Sequence, residues 1–69
     1  MRISARNQLH ATVIDVSRGA SIANVELDVG GQRVVASITV EAVDELGIGE
    51  GTEVIAVIKA SDVMIATDG

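Results

Sequence analysis

The sequence of 69 residues lacks cysteine and aromatic residues altogether, and it has a single histidine, His10. Without cysteine the chain can form neither a disulfide nor a Cys/His zinc site. Without aromatic side chains it has no platform on which nucleic-acid bases could stack. The core must therefore be built from Val, Ile, Leu, Ala and Met.

Basic residues and long apolar runs are scarce as well. Ten acidic residues against five basic ones give a formal net charge of −5, which repels phosphate backbones and argues against nucleic-acid binding. No apolar run approaches the length of a membrane span, and the first residues do not form the apolar segment of a signal peptide. We therefore expect a cytoplasmic protein that contacts neither nucleic acid nor membrane.

The short length predicts one domain, residues 1–69, and an oligomer. A chain of this size buries too little surface for a robust core, and disulfides and a Cys/His zinc site are already excluded. The segment TEVIAVIKA is apolar on both faces, although a strand in a small domain has only one face for its core. A neighbouring subunit would cover the other face.

A β-hairpin is the clearest local signal, in the segment IANVELDVGGQRVVASI. Ala23, Val25, Leu27 and Val29 alternate with polar residues, which is the period of a half-buried strand. Gly30-Gly31 then permits the positive φ of a tight two-residue turn. We predict that the residues after this turn pair antiparallel with those before it.

One short helix is predicted within TVEAVDELGIGEG. Thr39 suits its N-cap, Val40, Val43 and Leu46 have helical spacing, and Gly47 suits its end. Strands are also predicted in HATVIDV, TEVIAVIKA and DVMIA. About five strands with one helix after the third give an all-β fold, a small Greek-key barrel of the OB type.

No catalytic pattern is present. The sequence has no paired-carboxylate, zincin, Walker or nucleophile-elbow motif, and His10 has no partner of a catalytic type, so it reads as a structural or surface residue. We expect no enzyme, no cofactor and no directly ligated metal.

Two of the basic residues lie in polar clusters that suit an oxyanion. Arg6 lies beside Ser4 and Asn7 in SARNQL, and Lys59 precedes Ser61 in IKAS. A tetrahedral dianion offers four oxygens that only accept hydrogen bonds, so its pocket needs Arg, Lys, hydroxyl and backbone N–H donors. The two clusters supply such groups.

SARNQL at 4–9, SIT at 37–39, LGIGEG at 46–51 and VIAVIKAS at 54–61 together resemble the Mop family of small molybdate-binding proteins, the molbindins. Their unit is also called a TOBE domain, and similar units occur in molybdate transporter ATPases and repressors. The resemblance implies an OB-like barrel, an N-terminal strand exchanged between subunits, and a hexamer built as a trimer of dimers.

The resemblance also implies two oxyanion pockets between subunits. In the first, Arg6 of one chain would meet Lys59 of its neighbour, and relatives often carry a serine where this chain has Ala42. The first pocket maps onto Ser4, Ala5, Arg6, Asn7, Thr39, Lys59, Ala60 and Ser61. The second, near a three-fold axis, maps onto Gly19, Ala20, Ser21 and Ile22.

The implied ligand is molybdate or tungstate, which are too similar in size and charge for the sequence to separate. The implied role is intracellular molybdenum storage, buffering and homeostasis. An alternative role is that of a ligand-sensing accessory module of a molybdate transporter or regulator.

Overall fold

The computed structural model describes residues 2–69. Its elements are β1 (Asn7–Arg18), β2 (Ile22–Val29), β3 (Gln32–Thr39), α1 (Val40–Leu46), β4 (Glu53–Ile58) and a 3₁₀ turn (Ala60–Asp62). The strands form one antiparallel sheet in the order β3-β2-β1-β4. This order is a Greek key, so the predicted fold class, with one helix after the third strand, is confirmed.

The predicted hairpin joins β2 to β3. Val29 pairs with Gln32, and Gly30 and Gly31 between them have φ of 56° and 90°. Both angles lie in the left-handed region, which side chains with a Cβ adopt at a cost. The glycine pair therefore fixes the register that places Val25 and Leu27 in the core.

Helix α1 begins and ends where its capping residues predict. The Thr39 hydroxyl accepts a hydrogen bond from the Ala42 N–H at 3.0 Å, and Gly47 closes the helix with φ of 63°. Val43 is fully buried against the sheet, whereas Leu46, which has the same helical spacing, is 69% exposed. Among residues 2–69 no helix has the length and apolar character that crossing a bilayer requires.

Strand β1 is an inner strand of the sheet and connects the β2–β3 hairpin to β4. It pairs with β2 on one side and with β4 on the other, and a bulge between Val13 and Asp15 shifts its register against β2. Bulges bend a strand and increase its twist, which curves this sheet around a small core. The core residues are Ala11, Val13, Ala23, Val25, Leu27 and Val43.

The expected fifth strand and closed barrel need correction. The segment DVMIA is not a fifth strand: after the 3₁₀ turn, residues 63–69 have no regular structure, and the sheet of four strands is not closed. A strand forms only against a partner edge, and no strand of the described chain pairs with this segment. Within the single chain β1 pairs with β2 on one side and with β4 on the other, and the exchange of an N-terminal strand between subunits stays a prediction.

Candidate functional site

The first polar cluster assembles where β1 begins and β4 ends. Asn7 is paired with Ile58 in the sheet, and its side-chain amide also donates to the Ile58 carbonyl at 3.2 Å. Residues 4–6 therefore lead into β1 beside the point where residues 59–61 leave β4. We call residues 4–7 and 59–61 the cationic end.

Both cations at this end are free to take an anion. Arg6 and Lys59 are exposed, and the ion pairs formed within residues 2–69, Arg18 with Asp44 and Arg33 with Glu26, include neither of them. The 3₁₀ turn beside them is held by the Asp62 N–H, which donates to the Lys59 carbonyl at 2.9 Å. Two unpaired cations beside hydroxyl and backbone donors are the kinds of group that an oxyanion pocket requires.

The second polar cluster lies at the other end of the sheet. Ile22 pairs with Thr39, and the Val40 N–H donates to the Ser21 carbonyl at 2.9 Å, which joins the β1–β2 turn to the start of α1. The Thr39 hydroxyl uses an oxygen lone pair for its capping bond and keeps its own proton to donate. We call residues 19–22 together with Thr39 the threonine end.

Gly19 makes the turn at the threonine end compact. Its N–H donates to the Ile22 carbonyl at 2.8 Å, and a Cβ added at Gly19 would lie 2.8 Å from that same oxygen. Real Cβ atoms do not approach a backbone oxygen so closely, so a larger residue here would open the turn. Glycine therefore keeps Ala20 and Ser21 next to Thr39.

A shallow depression of about 490 Å³ forms at the threonine end. Besides hydroxyls, carboxylates contribute to its wall. Its lining residues are Ala20, Ser21, Thr39, Val40, Glu41 and Asp44. Arg18 offsets one of the two negative charges, because its guanidinium contacts the Asp44 carboxylate at 2.9 Å. The sequence pattern did not assign Arg18, Glu41 or Asp44 to a site, since only the fold brings α1 against the β1–β2 turn.

The two ends are too far apart to form one pocket in one chain. They lie at opposite ends of β1, which from Asn7 to Arg18 measures about 36 Å along the strand at 3.3 Å per residue, in a molecule whose longest dimension is 38 Å. Of the eight residues mapped to the first pocket, seven lie at the cationic end and Thr39 lies at the opposite end. Thr39 can meet the others only if it belongs to another chain.

One detail of the expected pocket changes. The resemblance implies that Arg6 and Lys59 of one pocket belong to different chains, but the pairing of Asn7 with Ile58 joins their segments within one chain. The residues mapped to the second pocket, Gly19–Ile22, adjoin Thr39 instead of forming a separate region. Within residues 2–69 no group of three or more His, Cys, Asp or Glu residues is arranged to hold a metal ion.

Comparison with known proteins gives a consistent result. A model of the TOBE domain matches residues 3–65. Molybdenum-pterin-binding protein 3 of Clostridium pasteurianum is 48% identical over 66 residues, which cover 94% of this chain and 97% of that protein.

Two solved structures share the fold. A molybdate-binding protein from Sporomusa ovata superposes with a TM-score of 0.93 at 36% identity, over 97% of this chain and all of that one. The cytoplasmic molybdate-binding protein ModG, solved with molybdate bound, superposes with a TM-score of 0.84 at 41% identity. That match covers 87% of this chain and 43% of ModG.

Proposed function

The chain belongs to the TOBE-domain family, and on that premise we propose that it binds molybdate or tungstate in pockets shared between two copies of itself. It is a binding protein and not an enzyme, and its role is cytoplasmic storage and buffering of molybdenum. The family relatives named for binding molybdenum compounds support the ligand class. No resident cofactor is part of the proposal.

The observation that carries this proposal is the division of the mapped donors between two ends of one sheet. The cationic end has unpaired charge, and the threonine end, at the other end of β1, has the Thr39 hydroxyl with a proton to donate. In an oligomer the cationic end of one chain faces the threonine end of the next. Each chain then contributes to two pockets, one at either end.

Hydrogen bonding accounts for useful affinity without covalent ligation. A charge-assisted hydrogen bond contributes roughly 1.5 to 3 kcal/mol, and a micromolar dissociation constant corresponds to about −8 kcal/mol. A handful of such bonds from Arg6, Lys59 and hydroxyl groups reaches that value after the losses of dehydrating the dianion and ordering the site are subtracted.

The proposed assembly is a hexamer, a trimer of dimers. It is supported by the large apolar side chains that a single chain leaves exposed. Those at least 43% exposed outside the helix are Ile14, Ile22, Val35, Ile55, Val57, Val63, Met64 and Ile65. Exposed apolar surface of this extent is typical of an interface with another subunit. Light scattering that gave a folded monomer at micromolar concentration would contradict the assembly.

Calorimetric titration with molybdate, tungstate and sulfate tests the ligand class. We expect saturable binding of the first two ions, and we expect Arg6→Ala and Lys59→Ala each to weaken it at least tenfold, which is about 1.4 kcal/mol. Arg33→Ala is the matched control, since it removes an exposed arginine that pairs with Glu26 on the sheet. Equal loss in all three variants would mean that net charge, and not the proposed pocket, governs binding.

A further inference from the structure

Two carboxylates of α1 line the depression at the threonine end, and their surroundings differ. Glu41 and Asp44 are three residues apart, so they lie on the same face of the helix. The Asp44 carboxylate accepts a hydrogen bond from the Arg18 guanidinium at 2.9 Å, whereas neither ion pair formed among residues 2–69 includes Glu41. One of the two negative charges is therefore compensated and the other is not.

The turn between β1 and β2 brings Arg18 to Asp44. Arg18 is the last residue of β1, and the Gly19 N–H closes the turn on the Ile22 carbonyl at 2.8 Å. Residues 20–21 of the same turn line the depression. The guanidinium is thus attached to the turn that forms the depression, and its charge lies next to the lining on the side of α1.

The ion pair contributes little to the fold. The side chains of Arg18 and Asp44 are 47% and 63% exposed, and water screens the attraction between charges that are so accessible. Without Arg18, however, Asp44 would add a second uncompensated negative charge where a dianion is to bind, and like charges repel over several ångströms at a protein surface. The main consequence of the pair is therefore for an anion in the depression.

We propose that Arg18 is a positioning residue for oxyanion binding, which neutralises Asp44 and so allows the threonine end to accept a dianion. The inference rests on the proposed function and adds a residue that lies outside both mapped pockets. Arg18 acts through Asp44, because that carboxylate holds its guanidinium in place. Without Asp44 the long side chain extends into water, where salt screens its charge from the ion.

A double-mutant cycle, measured by calorimetric titration with molybdate, tests this dependence. At low salt we expect Arg18→Ala to weaken binding about fivefold. Arg18→Lys keeps the charge, so its affinity should stay within about twofold of the wild-type value. Asp44→Ala removes the repulsive charge together with the partner of Arg18. Asp44→Ala and Arg18→Ala/Asp44→Ala should therefore bind with the same affinity.

The other ion pair, Arg33 with Glu26, supplies the matched control. Arg33 lies six positions along β3 from Thr39, which is about 20 Å at 3.3 Å per residue. Arg33→Ala removes the same charge and should leave the affinity unchanged. Thermal unfolding midpoints of Arg18→Ala and Arg33→Ala should agree, and the affinity loss in Arg18→Ala should shrink as salt is raised. A purely structural role of Arg18 would lower its midpoint and would not produce this salt dependence.

Three results overturn the inference. Equal losses on removing Arg18 in the presence and absence of Asp44 would make Arg18 a direct ligand of the ion. No loss in either background would leave Arg18 without a role in binding, and the same loss in Arg33→Ala would assign the effect to net charge. Wild-type protein that takes up no molybdate would overturn the proposed function and this inference with it, whereas the three results above, obtained with wild-type protein that binds, overturn the inference alone.

Discussion

Asn7 and Ile58 are joined by the sheet register and by a second hydrogen bond, from the Asn7 amide to the Ile58 carbonyl at 3.2 Å. The residues flanking this pair are the ones that carry charge, Arg6 before Asn7 and Lys59 after Ile58. One contact therefore sets the distance between two cations that are more than fifty positions apart in the chain.

Asn7→Ala should weaken oxyanion binding as well as the fold. Loss of the side-chain hydrogen bond to Ile58 destabilises the fold by about 1 kcal/mol. It also loosens the contact that holds Arg6 near Lys59. Urea unfolding at fixed protein concentration and calorimetric titration measure the two effects. Asn24→Ala is the control, because it removes a bond to Ser37 and should reduce stability without changing affinity.

Two defective variants should restore each other when mixed. Arg6→Ala/Lys59→Ala damages the cationic end, and Thr39→Asp damages the threonine end while keeping a good N-cap residue. In a mixed reciprocal pair one pocket carries both defects and the other carries none, so co-refolding equal amounts of the two variants at random should restore about a quarter of the wild-type sites. Titration of the co-refolded mixture that recovers no sites would show that the pocket lies within one chain.

Glu41→Gln should tighten oxyanion binding. Glu41 lines the depression beside Thr39, where its charge opposes a dianion, and removing it should raise affinity about fivefold at low salt. Glu45→Gln on the same helix is the control, because Glu45 is exposed and does not line the depression. Equal affinities for Glu41→Gln, Glu45→Gln and wild type would place the ligand away from α1.

Gly47→Ala should destabilise the fold by about 1 kcal/mol. Gly47 ends α1 with φ of 63°, a conformation that alanine adopts with strain. Gly49→Ala is the matched substitution, since Gly49 has no positive φ and a Cβ there meets nothing within 4 Å. Thermal unfolding of both variants at one concentration tests this, and equal midpoints would contradict it.

Local features of the fold could be predicted because they depend on neighbouring residues. The alternation from Ala23 to Val29 and the pair Gly30-Gly31 specify a hairpin by side-chain period and turn geometry. Thr39 and Gly47 specify both ends of a helix through bonds that span three or four residues. Each of these predictions is confirmed.

Long-range features could not be predicted in the same way. Residues 62–66 are as apolar as a strand, but whether they form one depends on a partner edge that the sequence does not reveal. The separation of Thr39 from Lys59 depends on the register of β1 with two other strands. The family resemblance identified the candidate pocket residues, but only the pairing of the strands shows which of them lie at the same end of the sheet.

The placement of the two polar clusters at opposite ends of β1 has a consequence for the size of the assembly. In a closed ring or a reciprocal pair, every cationic end meets the threonine end of another chain. An open row of chains leaves one cationic end and one threonine end without a partner. If the proposed pockets join the ends of different chains, bound oxyanion stabilises closed assemblies over open ones and over free chains. Under that proposal a rise in ligand concentration promotes association as a rise in protein concentration does, so the amount of bound ion would set the amount of assembled protein.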